Sequence, residues 1–189
     1  ALPPPVSPIP SDTCGSTITE WNLVRNKGGF KLSSDQTMNS LITVGGPFFL
    51  QGTSQTTLKK LDMNNRHFRS TSAGRDMRFE YIEFHTTGTY NDYRFQIWSG
   101  DITDIHHFKN CIFDGLYRGV KTWSGDTVFE NTVFKDIADT GIATGLINLR
   151  ITIIDCSFKD ITGKAIHTEP FGEIEITNTV FENIDSNTY

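Results

Sequence analysis

Two seven-residue segments share an unusual set of side chains: Phe95-Gln-Ile-Trp98-Ser-Gly-Asp101 and Val120-Lys-Thr-Trp123-Ser-Gly-Asp126, 25 residues apart. Each pairs an indole with a carboxylate and sets a long polar side chain, Gln96 or Lys121, two residues before the Trp. The segments Gly141-Ile-Ala-Thr-Gly145 and Ala165-Ile-His-Thr-Glu169 fit the same register and add His167 and Glu169. If Phe95, Val120, Ile142 and Ile166 point inward on extended strands, alternation turns their neighbours outward. The outward columns then read Gln96, Lys121, Ala143, His167 and Trp98, Trp123, Gly145, Glu169. Arg118 precedes the strand, with Tyr93 and Tyr117 in similar approach positions. Indoles beside hydrogen-bonding groups suit a sugar, whose apolar face stacks on an aromatic while its hydroxyls need polar neighbours. Ordinary roles stand beside this one. Ser-Gly-Asp is a common turn, Lys121 and His167 can be simply solvated, and an outward Trp can lie under a loop, the N-terminal arm or a neighbouring molecule.

These columns exist only if the chain repeats, and it does. Asn110-Cys-Ile-Phe113-Asp-Gly-Leu116, Asn131-Thr-Val-Phe134-Lys-Asp-Ile137, Asp155-Cys-Ser-Phe158-Lys-Asp-Ile161 and Asn178-Thr-Val-Phe181-Glu-Asn-Ile184 follow one rule, [ND]xxFxx[IL]. Successive column phenylalanines stand 21, 24 and 23 residues apart. Five residues before each is another apolar residue: Phe108, Phe129, Ile153 and Ile176; Phe79 and Phe84 form a weaker upstream copy. A period in this range fits a leucine-rich repeat or a parallel β-helix. Leu is scarce and no stretch sustains a 3.6-residue apolar pattern, so three short strands per coil are expected, broken at Gly, Asn and Asp. The fold class is therefore all-β: a single-stranded, right-handed parallel β-helix of about six or seven coils of 21–29 residues.

Stacking coils about 4.8 Å apart aligns like residues into ladders. The Phe column becomes an aromatic stack in the core, which accounts for much of the 14 Phe. Asn110, Asn131, Asp155 and Asn178 become a ladder at a tight turn. Asp136 and Asp160 are expected to accept hydrogen bonds at turns. Of His106 and His107, one points in and the other out. Cys111 and Cys156 share a column two coil steps apart, roughly 9–10 Å, beyond the ~7 Å Cα limit of a disulfide. Two buried, inert thiols are expected, with Cys14 capping or free. A Pro-rich arm or linker is expected over 1–12, irregular first coils and the N-terminal cap over 13–65, and the β-helix over 66–189. The final strand ends at Ile184 with no visible cap, so a longer parent chain or a homo-oligomer is expected to cover that coil.

From Phe68 to Ile184 the chain resembles the pectate-lyase-like right-handed β-helix superfamily. The resemblance is one of architecture; the Asn-Thr-Asp, Asp-Asp and His-Gly set of polygalacturonase-like hydrolases is missing. It implies a polysaccharide partner and a site on the strand carrying Trp98 and Trp123. Residue by residue, it implies Lys121 or Arg118 as a catalytic base, with His167 assisting. Trp98, Trp123, Gln96 and Glu169 would meet substrate, and Asp101 and Asp126 would hold Ca²⁺. Asp101 and Asp126 stacked one coil apart would repel unless hydrated or bridged by a cation, or they serve turns only. The implied activity is that of a uronate-polymer lyase or another glycan depolymerase. The other class is a non-catalytic adhesin, a phage tail-fibre or tailspike segment, or a secreted interaction module.

Composition narrows the partners. Lys and Arg total 17 against 22 Asp and Glu, a formal charge of −5 over 189 residues. That disfavours a nucleic-acid partner, since binding a phosphate backbone wants a basic face. No apolar run approaches the roughly 18 residues of a membrane span. Composition and fold together predict an extracellular or secreted protein, or one on a virion surface.

Overall fold

The computed structural model describes residues 18, 21, 29–53, 56–71, 76–98, 103–145, 149–169 and 173–185. Three parallel sheets run the length of a solenoid. The first contains Gly29–Leu32, Phe48–Gly52, Met77–Glu80, Ile105–Lys109, Asp126–Glu130, Arg150–Ile154 and Glu173–Thr177 in that spatial order. The second contains Gln36–Thr37, Lys59–Asp62, Ile82–His85, Ile112–Asp114, Val133–Ile137, Ser157–Ile161 and Val180–Ile184. Six strands make the third: Ile42–Val44, Phe68–Ser70, Tyr93–Ile97, Arg118–Thr122, Thr140–Thr144 and Lys164–His167. Each strand pairs with its equivalent one coil away, giving a β-solenoid of about six turns. The expected parallel β-helix architecture is the observed one. The first coils already lie in the three sheets from Gly29, although repeat spacing is weak there. The Pro-rich arm 1–12 and Cys14 lie outside the described residues.

The ladders follow the repeat. Phe84, Phe113, Phe134, Phe158 and Phe181 stack at successive centroid distances of 5.2, 4.5, 4.8 and 5.0 Å. Phe79, Phe108 and Phe129 form a second stack on the first sheet, at 5.0 and 5.1 Å. Apart from Phe181 these rings have no solvent exposure. Parallel sheets joined by short turns require the chain to reverse sharply, and one column does this in the left-handed region. Asn110, Asn131, Asp155 and Asn178 have φ of 52°, 46°, 53° and 48°. Asn and Asp are the chiral residues that tolerate this region best. Asn131 Nδ2 donates to Asn110 Oδ1 across one coil step. A second such column is Gly115, Asp136, Asp160 and Asn183, with Asn183 Nδ2 donating to Asp160 Oδ1 at 2.8 Å.

One column alternates sulfur and hydroxyl. Cys111 Sγ donates to the carbonyls of Phe79 and Lys109, Thr132 Oγ1 to those of Phe108 and Glu130, and Cys156 Sγ to those of Phe129 and Ile154. Both thiols are buried and unpaired, as the coil spacing requires. Burial pushes the Cys111 thiol up to about 12 and that of Cys156 to about 11. His106 is fully buried and His107 faces outward beside Glu130, the alternation read from the strand. At one end Trp21 is buried on the core; at the other Ile176, Val180 and Phe181 are 46, 59 and 45 % exposed.

Candidate functional site

The third sheet lays out the columns read from the sequence. Gln96 pairs with Lys121, Lys121 with Ala143, and Ala143 with His167. The register also runs upstream: Arg69 pairs with Gln96 and Thr43 with Arg69. Arg69 was not anticipated. Parity alone could have found it, since it follows inward Phe68 as Gln96 follows Phe95, but the repeat is weak in that segment.

Trp98 and Trp123 stand on neighbouring coils with ring centroids 5.9 Å apart and planes tilted by 32°. Trp98 is 44 % exposed. Its backbone is clamped by Ser70, a buried residue one coil away: Trp98 N–H donates to Ser70 Oγ, and that hydroxyl donates to the Trp98 carbonyl at 2.7 Å. Trp123 is more committed. The Lys121 ammonium sits 4.9 Å from its ring centroid, a cation–π contact. The indole also lies so close to Gly145 that a Cβ there would be 2.5 Å from Nε1. In the two coils before Trp98, its column is occupied by Thr71 and Gly45, which are too small to fill the space beside its ring. A groove of about 670 Å³ results, lined by Thr43, Arg69, Ser70, Thr71, Gln96, Trp98 and Trp123.

At the edge of this face, Gln96 Nε2 donates to Asp92 Oδ2 at 3.2 Å and, more weakly, to Tyr90 Oη at 3.4 Å. Tyr90 in turn stacks on His67 at 5.1 Å and covers the guanidinium of Arg94. Arg118 lies between the rings of Tyr93 and Tyr117, 5.4 and 5.3 Å from their centroids. Its Nε donates to Asp139 Oδ2 at 2.5 Å, and Asp92 stands 4.0 Å from Nη1. Burial works against the charged form of Arg118, but the hydrogen bond and charge of Asp139 outweigh it and raise its pKa.

The remaining predicted residues are spread along the axis. Glu169 N–H donates to Thr144 Oγ1, His167 Nε2 lies 3.8 Å from Glu169 Oε1, and Lys164 Nζ is 3.3 Å from His167 Nδ1. Asp126 begins a strand of the first sheet, round the corner from Trp123, and its neighbour in register there is Ile105. Asp101 lies outside the described residues. Glu169 follows the third-sheet strand Lys164–His167, whereas Asp126 starts a first-sheet strand about two coils earlier, so they do not converge on one ion. Among the described residues no group of three His, Cys, Asp or Glu side chains is placed to hold a metal. No helix among them is long and apolar enough to cross a membrane. Compared with known protein families, curated proteins and solved structures, the chain matches none.

Proposed function

We propose that this chain is an extracellular polysaccharide-binding module that holds a glycan in the groove of the third sheet. The observation carrying this reading is the half-exposed Trp98, its backbone held by Ser70 and its side chain bordering a groove of about 670 Å³ among Arg69, Gln96, Thr43 and Thr71. A rigid indole with hydrogen-bonding groups at its rim can meet both the apolar face and the hydroxyls of a sugar. A long polymer suits a site of this kind, because the face continues along the axis past Lys121 toward His167.

Binding is favoured over lyase chemistry by the state of the two cations expected to act as bases. A base must be able to lose its proton, and Asp139 holds Arg118 in its charged form. The ammonium of Lys121 is placed over the rings of Trp123 and Tyr93, where its positive charge is the attractive feature. Arg118 is better suited to bracing the rings of Tyr93 and Tyr117 than to taking a proton from substrate, and Lys121 packs on Trp123 at the edge of the groove. The test is a glycan array followed by affinity electrophoresis on soluble polysaccharides. Wild type and Lys159→Ala, altered on the second sheet, should bind a common set that Trp98→Ala loses. Retained binding in Trp98→Ala, or the appearance of unsaturated uronate at its absorbance band on incubation with acidic polymers, would overturn the reading.

A further inference from the structure

The two ends of the solenoid carry opposite charge. The last described coil, the strands Glu173–Thr177 and Val180–Ile184 with Asp185, contains four acids and no base. Glu173 and Glu182 each meet a cation of the coil behind, Arg150 at 3.6 Å and Lys159 at 3.5 Å, but both pairs are exposed to water and therefore weak. At the other end, the segment from buried Trp21 to the close of the first strand at Leu32 contains Arg25, Lys27 and Lys31 and no acid. Glu20 and Asp35 are the nearest carboxylates on either side of it. The apolar columns run out at the same two ends. Phe30 begins the first-sheet column that finishes at Ile176. Gln36 begins the second-sheet column that finishes at Phe181, and Ile18 N–H donates to Gln36 Oε1 at 3.0 Å, which sets an apolar residue beside the head of that column. Ile18 and Phe30 are half-buried against the core, whereas Ile176 and Phe181 are open to solvent. Gly29–Leu32 and Glu173–Thr177 are the opposite edge strands of the first sheet.

We infer that the last coil is a docking surface for the N-terminal end of a second copy of this chain, so that molecules join head to tail along the solenoid axis. The first strand of one copy adds in parallel to Glu173–Thr177 of the other, with Phe30 over Ile176 and Lys31 diagonal to Glu175. This arrangement continues the inward columns, pairs the backbone groups of an exposed edge and sets bases opposite acids. Tail-to-tail pairing would cover the same apolar residues but bring four acids against four, and like charges across an interface oppose it. A head-to-tail contact that advances along one axis does not close, so it produces a growing chain of molecules and not a dimer.

The experiment is sedimentation velocity of the 189-residue chain over a concentration series, at low and raised salt. The average mass should rise past that of a dimer as concentration increases, and fall as salt screens the contact. Phe181→Asn, at an exposed position of the last strand, should weaken association about tenfold with an unchanged circular dichroism spectrum. Two charge-swapped variants sharpen the result. Arg25→Glu with Lys27→Glu and Lys31→Glu makes both ends acidic, and Glu175→Lys with Asp185→Lys removes the acidic excess of the last coil. Neither variant should associate alone. An equimolar mixture should associate, because a basic first strand again meets an acidic last coil. Circular dichroism identifies any swapped variant that fails to fold, and the salt series and Phe181→Asn then decide the question. A chain that stays monomeric at every concentration, a dimer that grows no further, or assembly that persists in Phe181→Asn and in each swapped variant alone would overturn the inference.

Discussion

The Trp123 indole rests against the backbone of Gly145, one coil further along, where an added Cβ would lie 2.4 Å from its Cδ1. No real Cβ contact is that short, so Gly145→Ala must push the ring away, together with the Lys121 chain, whose Cε would be 3.1 Å from the new methyl. The expected result is a shifted tryptophan emission spectrum and weaker glycan binding, with only about 1 kcal/mol lost in stability because the site is at the surface. Unchanged emission and affinity in Gly145→Ala would show that Trp123 does not position Trp98.

Tyr81 interrupts the turn ladder. It has φ of 56°, and its N–H donates to the carbonyl of Lys109 just as Asn110 N–H donates to that of Glu130. A left-handed conformation costs an ordinary chiral residue about 1–2 kcal/mol, and Asn bears it more easily. Tyr81→Asn should extend the amide ladder of Asn110 and Asn131 by one coil and stabilise the fold by about 1 kcal/mol. Urea denaturation checks this: the midpoint should rise with no change in slope.

The thiol column makes a chemical prediction. Cys111 and Cys156 are buried with raised pKa values, and the thiolate is the reactive form. Both should resist an aqueous thiol reagent in the native protein and react once it unfolds. Because Thr132 makes the equivalent pair of carbonyl contacts between them, Cys111→Thr should fold and cost less than Cys111→Ala, which loses the contacts to the Phe79 and Lys109 carbonyls and leaves a small void. Rapid native labelling of either thiol would show that the column opens.

Burial gives His106 a pH signature. Desolvation lowers its pKa to about 4, with Asp104 and the Ser124 backbone offsetting part of the effect. The unfolded chain takes up a proton near 6.5, well before the folded protein does. Stability is therefore full above about pH 6.5 and falls as the pH drops toward 4, by on the order of 3 kcal/mol. His67 and His107 are shifted downward by burial too and add in the same direction. Denaturation midpoints between pH 7 and 4 should fall steeply in wild type and less steeply in His106→Gln. Equal slopes would mean that His106 is not held neutral.

Much of this was legible because each turn of a solenoid repeats the same physical problem. Phe113, Phe134 and Phe158 recur because each must fill the same interior slot. The turn residues Asn110, Asn131 and Asp155 recur because each must adopt the same unfavourable φ. The same logic placed Trp98 on Trp123 and Lys121 beside Gln96. It failed where the candidate site departs from the repeat or where the repeat is weak. Arg69 keeps the register but lies where the repeat is too weak to read, Tyr90 and Asp92 sit in a turn between strands, and Arg118 finds Asp139 through a turn whose geometry no periodicity encodes. Asp126 shows the converse: its Ser-Gly-Asp motif matches that of Asp101, yet register places it at the start of another sheet.

Arg94 is the most deeply placed of these departures, and the groove depends on it. The side chain has no solvent exposure. Nη1 donates to the carbonyls of Asn64 and Arg66 at 2.8 and 2.9 Å, and Nη2 to Thr86 Oγ1 at 2.8 Å. These groups belong to the turns entering two successive strands of the third sheet, so one guanidinium fastens both. It also lies 5.0 Å from the Tyr90 ring centroid, and Tyr90 in turn contacts Gln96 in the groove. Arg94→Ala removes the hydrogen bonds that tie both turns together, leaves the Asn64 carbonyl to Thr86 alone and opens a cavity, for an expected loss of about 3 kcal/mol. Arg94→Lys keeps the charge but cannot span all three acceptors from one planar group, and should fall between the two. Glycan affinity separates stability from site support. Measured well below the melting temperature, Arg94→Lys should bind several-fold more weakly than wild type because Tyr90 and Gln96 lose their backing. Wild-type affinity in a destabilised Arg94→Lys would confine Arg94 to the scaffold.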